Sequence, residues 1–189
     1  MMIFFEIFAV IFALLYLFLA TKQKISCWYA AFISTAIYTF LYWDVALYME
    51  SLLNFYYLSM AVYGWREWNK RERDNLSPII NWSSSEHFFV ITIIFILTFS
   101  SGYFLSNTDA VKPYLDSFTT WASVVTTYMV TQKVLSNWLY WIIINSVGIF
   151  LNLDRELYLT ALLLFCYQII SIIGYFNWRK TYHEQSTSY

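Results

Sequence analysis

Residues 21–70 align with residues 131–180 at one constant offset of 110, with sixteen identities and no gap. The matches are not interchangeable hydrophobes: they include Ser26/Ser136, Trp28/Trp138, Asp44/Asp154, Tyr57/Tyr167, Gly64/Gly174, Trp68/Trp178 and Lys70/Lys180. Shared composition accounts poorly for paired charges, tryptophans and glycines at a single offset, so a duplicated structural unit is expected. The chain is then limited to two copies of one unit plus whatever joins them.

That unit reads as helical. A bilayer core about 30 Å thick needs about 20 apolar residues per helix. Seven stretches qualify, at 3–20, 27–43, 46–65, 87–105, 114–131, 137–153 and 157–177. With 60% hydrophobic, 23% aromatic and 12% charged residues in a chain of 189, there is more apolar surface than a soluble domain could bury. The expected fold is an all-α membrane protein of seven transmembrane helices. The first twenty residues have neither a basic leader nor a small-residue cleavage site, and are expected to stay as the first helix.

Topology then tests the repeat. Three helices end on the side opposite their start, so two such units run parallel only if an odd helix separates them. The 87–105 stretch supplies it, giving a 3+1+3 arrangement. The expected divisions are a first triple-helix bundle at 1–70, a loop and linker helix at 71–111, a second bundle at 112–180 and a tail at 181–189. Charges, Pro78 and a serine run break the apolar pattern across 66–86. Of the eleven basic residues only Lys112 and Arg155 fall on one side. The excess of basic residues on the other puts the long loop and C-terminus in the cytoplasm and the N-terminus outside. Parallel repeats about an axis along the membrane normal occur in transporters, with the substrate near the midplane.

Several function classes drop out. Net charge is -1 and the basic residues are scattered, so no nucleic-acid partner is expected. Walker A, HExxH, CxxC and nucleophile-elbow sequences are all missing, so the chain is read as no enzyme, with no cofactor and no metal. Cys27 and Cys166 lie in apolar runs and are expected to pack as small hydrophobes. His87 and His183 have no partner in view.

Ionisable and amide groups at membrane depth are costly and mark candidate sites. Glu6 is close enough to the first helix end to be a surface charge. Glu50 lies about one turn inside the third helix and is followed at helical spacing by Asn54, Tyr57 and Ala61. Its repeat mate is Thr160, so the carboxylate breaks the internal symmetry. Asn137, Trp141 and Asn145 recur every four residues on the sixth helix, aligning two amides and an indole; interhelical bonding alone would explain one such asparagine. Trp121 and Gln168 are weaker candidates. One carboxylate, neutral amides and aromatic faces suit a small, flat, cationic or heteroaromatic molecule.

Three stretches, LYMESLLNFYYLSMAVYGWREW at 47–68, YLDSFTTWASVV at 114–125 and QKVLSNWLYWIIINSVGIFLNLDRELYLTALL at 132–163, resemble the PnuC family of bacterial vitamin transporters. The resemblance implies a full-length fold related to SWEET sugar transporters. It also implies facilitated diffusion through the bacterial inner membrane, with the substrate trapped by phosphorylation inside the cell. Asn137, Trp141 and Asn145 match the family pattern. The chain departs from the nicotinamide riboside carriers at Ser34, Asn54 and Ser136, and Glu50 replaces a small residue. A similar branch, PnuT, carries thiamine, which is the favoured substrate on these departures, with nicotinamide riboside as the alternative. A SWEET-type sugar carrier leaves the carboxylate without a purpose. A non-transporting membrane scaffold predicts that the polar stripes serve stability alone. Partners are therefore the vitamin and the lipid bilayer, with homo-oligomer formation left open.

Overall fold

The structure is a computed structural model and describes residues 2–74, 79–108 and 112–187. Pro78 lies outside the described residues. Among the described residues seven helices follow one another: α1 (Met2–Thr21), α2 (Cys27–Asp44), α3 (Tyr48–Arg73), α4 (Ser84–Leu105), α5 (Pro113–Thr131), α6 (Asn137–Asp154) and α7 (Tyr158–Thr187). The shortest, of 18 residues, reaches about 27 Å at 1.5 Å per residue. Among the described residues α1, α4 and α7 are apolar and long enough to cross a membrane on composition alone. The other four carry a larger share of Asn, Thr, Ser, Tyr and Trp. α3 and α7 run on past their apolar stretches to Arg73 and Thr187; on α3 the charged segment REWNKRER is rich in strong helix formers.

The outer surface is an apolar coat. Phe4, Phe8, Phe88, Phe95, Phe99, Leu159 and Phe165 are all more than half exposed, a cost in water that hydrocarbon removes. Cys166 belongs to this face, whereas Cys27 is fully buried.

Local geometry recurs 110 residues apart. α1, α2, α5 and α6 each end in a left-handed residue, at Gln23 (φ 55), Ala46 (φ 61), Lys133 (φ 55) and Glu156 (φ 59). Each closes the same pair of bonds: Gln23 N–H donates to Ala20 O and Lys24 N–H to Leu19 O, as Lys133 N–H does to Val130 O and Val134 N–H to Met129 O. These are Schellman closures made without glycine. They reverse the chain in three or five residues, keeping α1 against α2 and α6 against α7.

The core is a tryptophan array. Trp28 meets Trp68 edge to face at 5.3 Å, and Trp138 meets Trp178 at 5.4 Å. The two pairs join where Trp68 and Trp178 stand 6.1 Å apart. Trp68 Nε1–H donates to Val130 O on α5 and Trp178 Nε1–H to Ala20 O on α1. Each half thus bonds the other through the same indole. Trp28 and Trp138 sit this deep because Gly64 and Gly174 offer no side chain: a Cβ there would come within 2.4 Å and 2.7 Å of the rings.

Lys133 is only 8% exposed and holds its ammonium 4.4 Å over the Trp68 ring. Burial, with nearby Arg71 adding to it, pushes this amine down from 10.5 to about 8.

Gly64→Ala and Gly174→Ala should each cost about 1–3 kcal/mol by overpacking, seen as a lower melting temperature in detergent. Gly148→Ala, whose Cβ would meet only the mobile end of Leu164 at 3.0 Å, should melt near wild type. For Lys133 the folded protein binds fewer protons than the unfolded chain between pH 8 and 10.5, so stability should rise with pH across that window. Melting curves of wild type and Lys133→Met should differ by a constant amount below pH 8 and change relative to each other only above it.

Candidate functional site

A cavity of about 280 Å³ opens between the two halves beside the tryptophan array. Four of the seven sequence-derived site residues line it: Asn54 and Tyr57 of α3, and Trp141 and Asn145 of α6. The helical spacings place each pair on one face, and α3 and α6 each turn that face inward.

The remaining three lie elsewhere. Glu50 is exposed in the first turn of α3, where a carboxylate complements the helix dipole. Trp121 donates from Nε1 to Ser101 Oγ at 2.8 Å, tying α5 to α4. Asn137 is fully buried and donates from Nδ2 to Val134 O in the turn that starts α6. Its Oδ1 is buried without a protein partner. Gln168, also outside the cavity, reaches Ser146 Oγ at 3.4 Å. His87 does have partners, Tyr140 and Ser136, which the chain's linear order hides.

Within the cavity the polar groups are partly committed. Asn145 is 4% exposed and donates from Nδ2 to Ser171 Oγ at 3.4 Å, leaving its carbonyl oxygen to accept. Asn54 Nδ2 donates to Glu50 O of its own helix, which frees its oxygen in the same way. Ser34 donates to Ala9 O and Thr127 to Ser123 O. The Tyr57 hydroxyl lies close to the Ser123 side chain.

The rest of the wall is aromatic. Tyr16, Trp28, Tyr38 and Tyr167 join Tyr57 and Trp141 around the space. Such a wall takes flat, electron-poor rings by stacking and cations by their attraction to ring faces. Toward one end Tyr38 stacks on Tyr42 at 5.5 Å, and the exposed carboxylates of Glu6 and Glu50 lie within electrostatic reach of the Tyr42 hydroxyl. Among the described residues no group of acidic, His or Cys side chains could hold a metal.

Of the residues missed from sequence, Tyr167 was the most accessible. It is the repeat mate of Tyr57, and carrying a candidate across the 110-residue offset would have named it. Tyr16 and Tyr38 have no matching mate and gave no such signal.

Comparisons with known proteins bear on this geometry. Residues 3–180 match the family model described as nicotinamide mononucleotide transporter. The chain is 23% identical to the nicotinamide riboside transporter PnuC of Escherichia coli (strain K12), over 89% of its own length and 82% of that protein's. The same figures hold for the PnuC of Shigella flexneri. Among solved structures, the vitamin B3 transporter PnuC superposes with a TM-score of 0.74 at 23% identity, covering 94% of this chain and 81% of that one.

Proposed function

Because the chain belongs to the nicotinamide mononucleotide transporter family, the family of PnuC, we propose that it carries nicotinamide riboside through the bacterial inner membrane by facilitated diffusion. The observation that carries this reading is the cavity between the two halves, walled by tyrosine and tryptophan and offering the amide oxygens of Asn54 and Asn145. A pyridinium ring stacks on such a wall, and ribose hydroxyls donate to such oxygens. The names of the curated relatives favour this substrate over thiamine, which the sequence departures alone had favoured.

In this reading Asn54, Tyr57, Trp141 and Asn145 bind the substrate, with Tyr16, Tyr38 and Tyr167 stacking around it. Glu50, beside Glu6 near Tyr42, draws the cation toward the cavity. Asn137 and Trp121 brace the helices that carry the site. The transport cycle rocks two parallel triple-helix bundles, 1–70 and 112–180, joined through the 71–111 linker in a full-length SWEET-like 3+1+3 fold. The N-terminus faces outward and the 181–189 tail the cytoplasm.

Thiamine stays as the second reading on one observation. Two of the three positions that depart from the nicotinamide riboside pattern, Ser34 and Asn54, lie on the cavity wall.

Calorimetric titration of the purified protein with each vitamin separates the readings. Nicotinamide riboside binding about a hundredfold tighter than thiamine, a difference of about 2.7 kcal/mol, is the expected outcome. The reverse order would make Ser34 and Asn54 specificity changes, and silence with both would favour a scaffold. Asn145→Ala should weaken the preferred ligand by about 1–3 kcal/mol with little change in melting temperature, and Trp141→Ala should weaken it as much while also lowering the melting temperature, because the indole packs on both buried clusters. Glu50→Gln should have a smaller effect that fades as salt is raised; unaltered affinity in both cavity variants would remove them from the site.

A further inference from the structure

A second cavity, of about 430 Å³, lies between α4 and α6 over α5. α4 packs on α5, and α5 on α6, whereas the backbones of α4 and α6 stay apart and meet only through side chains, His87 against Tyr140 among them. Its floor is buried and apolar: Ile94 (4% exposed), Ala122 (1%) and Ile144 (6%). Its rim residues Ile91, Phe95, Leu139 and Ile143 are 41–55% exposed and continuous with the outward apolar coat. The space is therefore a crevice open sideways to the surroundings of the helices.

One end alone is polar. His87 Nδ1 lies 3.0 Å from the Tyr140 hydroxyl and Nε2 lies 3.2 Å from Ser136 Oγ. His87 is in the first turn of α4, whose start is capped by Ser83 and Glu86, and Trp82 stands 5.8 Å from the imidazole. An indole just before the helix start fits the headgroup level of a bilayer.

We propose that this crevice holds one acyl chain of a membrane phospholipid, with the ester region at the His87–Ser136–Tyr140 end. The chemistry excludes the alternatives in turn. An apolar space of this size gives water too few hydrogen-bond partners to fill it, and left empty it forfeits the dispersion contacts of its whole lining. The bilayer that solvates Phe88, Phe95 and Ile143 supplies a flexible hydrocarbon of the right section at the open side. The lining is amphipathic in the same sense as a lipid, polar at the interface end and apolar below. The bound chain fills the gap that the separated backbones of α4 and α6 leave above α5. The crevice also backs the other cavity, because Trp141 packs against the Ile94, Ala122 and Ile144 cluster.

The test uses the full chain in vesicles doped with phosphatidylethanolamine bearing a diazirine on one acyl tail. After illumination and digestion, labelled peptides are mapped by mass spectrometry. Labelling should concentrate on 91–95 and 139–144, well above that on the exposed α1 face at Phe4 and Phe8. In Ala122→Phe, which fills the floor, crevice labelling should drop about tenfold, the effect of losing burial for about two methylenes, while α1 labelling holds. Should that variant misfold, Ile143→Trp narrows the open rim without touching the floor and must give the same selective drop. Labelling no higher than on α1, labelling unaltered in the folded variants, or, in a separate oxidation of Leu139→Cys and Ile143→Cys variants, disulfides between two copies of the chain would each overturn the proposal.

Discussion

Everything in this fold is arranged around two indole rings lying flat on two glycines. Trp28 occupies the space a side chain at Gly64 would need, and Trp138 does the same at Gly174. These contacts bring α2 against α3 and α6 against α7 at backbone distance, in a solvent where the hydrophobic effect between helices is absent and close packing must replace it. The rings of Trp68 and Trp178 then lock edge-on against them and bond across to α5 and α1. Because each half bonds the other through its own indole, neither half completes its core alone.

The two halves are nevertheless unequal at their far ends. Lys112 pairs with Asp154, and Arg155 with Asp116, so the start of α5 and the end of α6 are fastened by two ion pairs about one-third exposed. The mate of Asp154 is Asp44, but the positions that mate with Arg155 and Asp116 are Val45 and Glu6. With Met2 as the mate of Lys112, the described residues of the first half have no Lys or Arg at this level. Its carboxylates Glu6 and Glu50 stand beside the Tyr38–Tyr42 stack instead. One end of the molecule is clamped on one side and negatively charged on the other, which sets up a field favourable to cations at the aromatic approach to the cavity.

Much of this was written in the chain and some of it was not. The helix positions followed from apolar length, since hydrocarbon leaves backbone groups no partners except their own helix. The repeat told which tryptophans and glycines pack, because packing of this kind demands the same residue in both copies. The polar stripes on α3 and α6 pointed inward as periodicity required, bringing Asn54, Tyr57, Trp141 and Asn145 to one cavity. Glu50 and Asn137 share those stripes but lie at helix ends, where a one-turn shift along the axis changes burial and exposure while leaving angular phase intact. Periodicity reports the angle of a residue around a helix and carries no information on its depth. The His87 contacts with α6 were hidden for a different reason: they join positions about 50 residues apart with no matching pattern to pair them.

The cavity adds one further rule for reading such duplicated chains. Four repeat pairs contribute both members to its wall: Leu17/Thr127, Ala31/Trp141, Thr35/Asn145 and Tyr57/Tyr167. Only the tyrosines are identical. In the other three, the second half supplies the hydroxyl, the indole and the amide, where the first supplies leucine, alanine and a smaller hydroxyl side chain. A cavity in which every matched pair stayed identical would present each group twice, and a ligand with one ring and one polar arm has no use for that. Ala31 leaves room for a flat molecule where its mate Trp141 offers a stacking surface. Outside the Tyr57/Tyr167 pair, identity between the copies marks where the helices pack, and divergence at the matched cavity positions is what the unsymmetrical substrate proposed above requires.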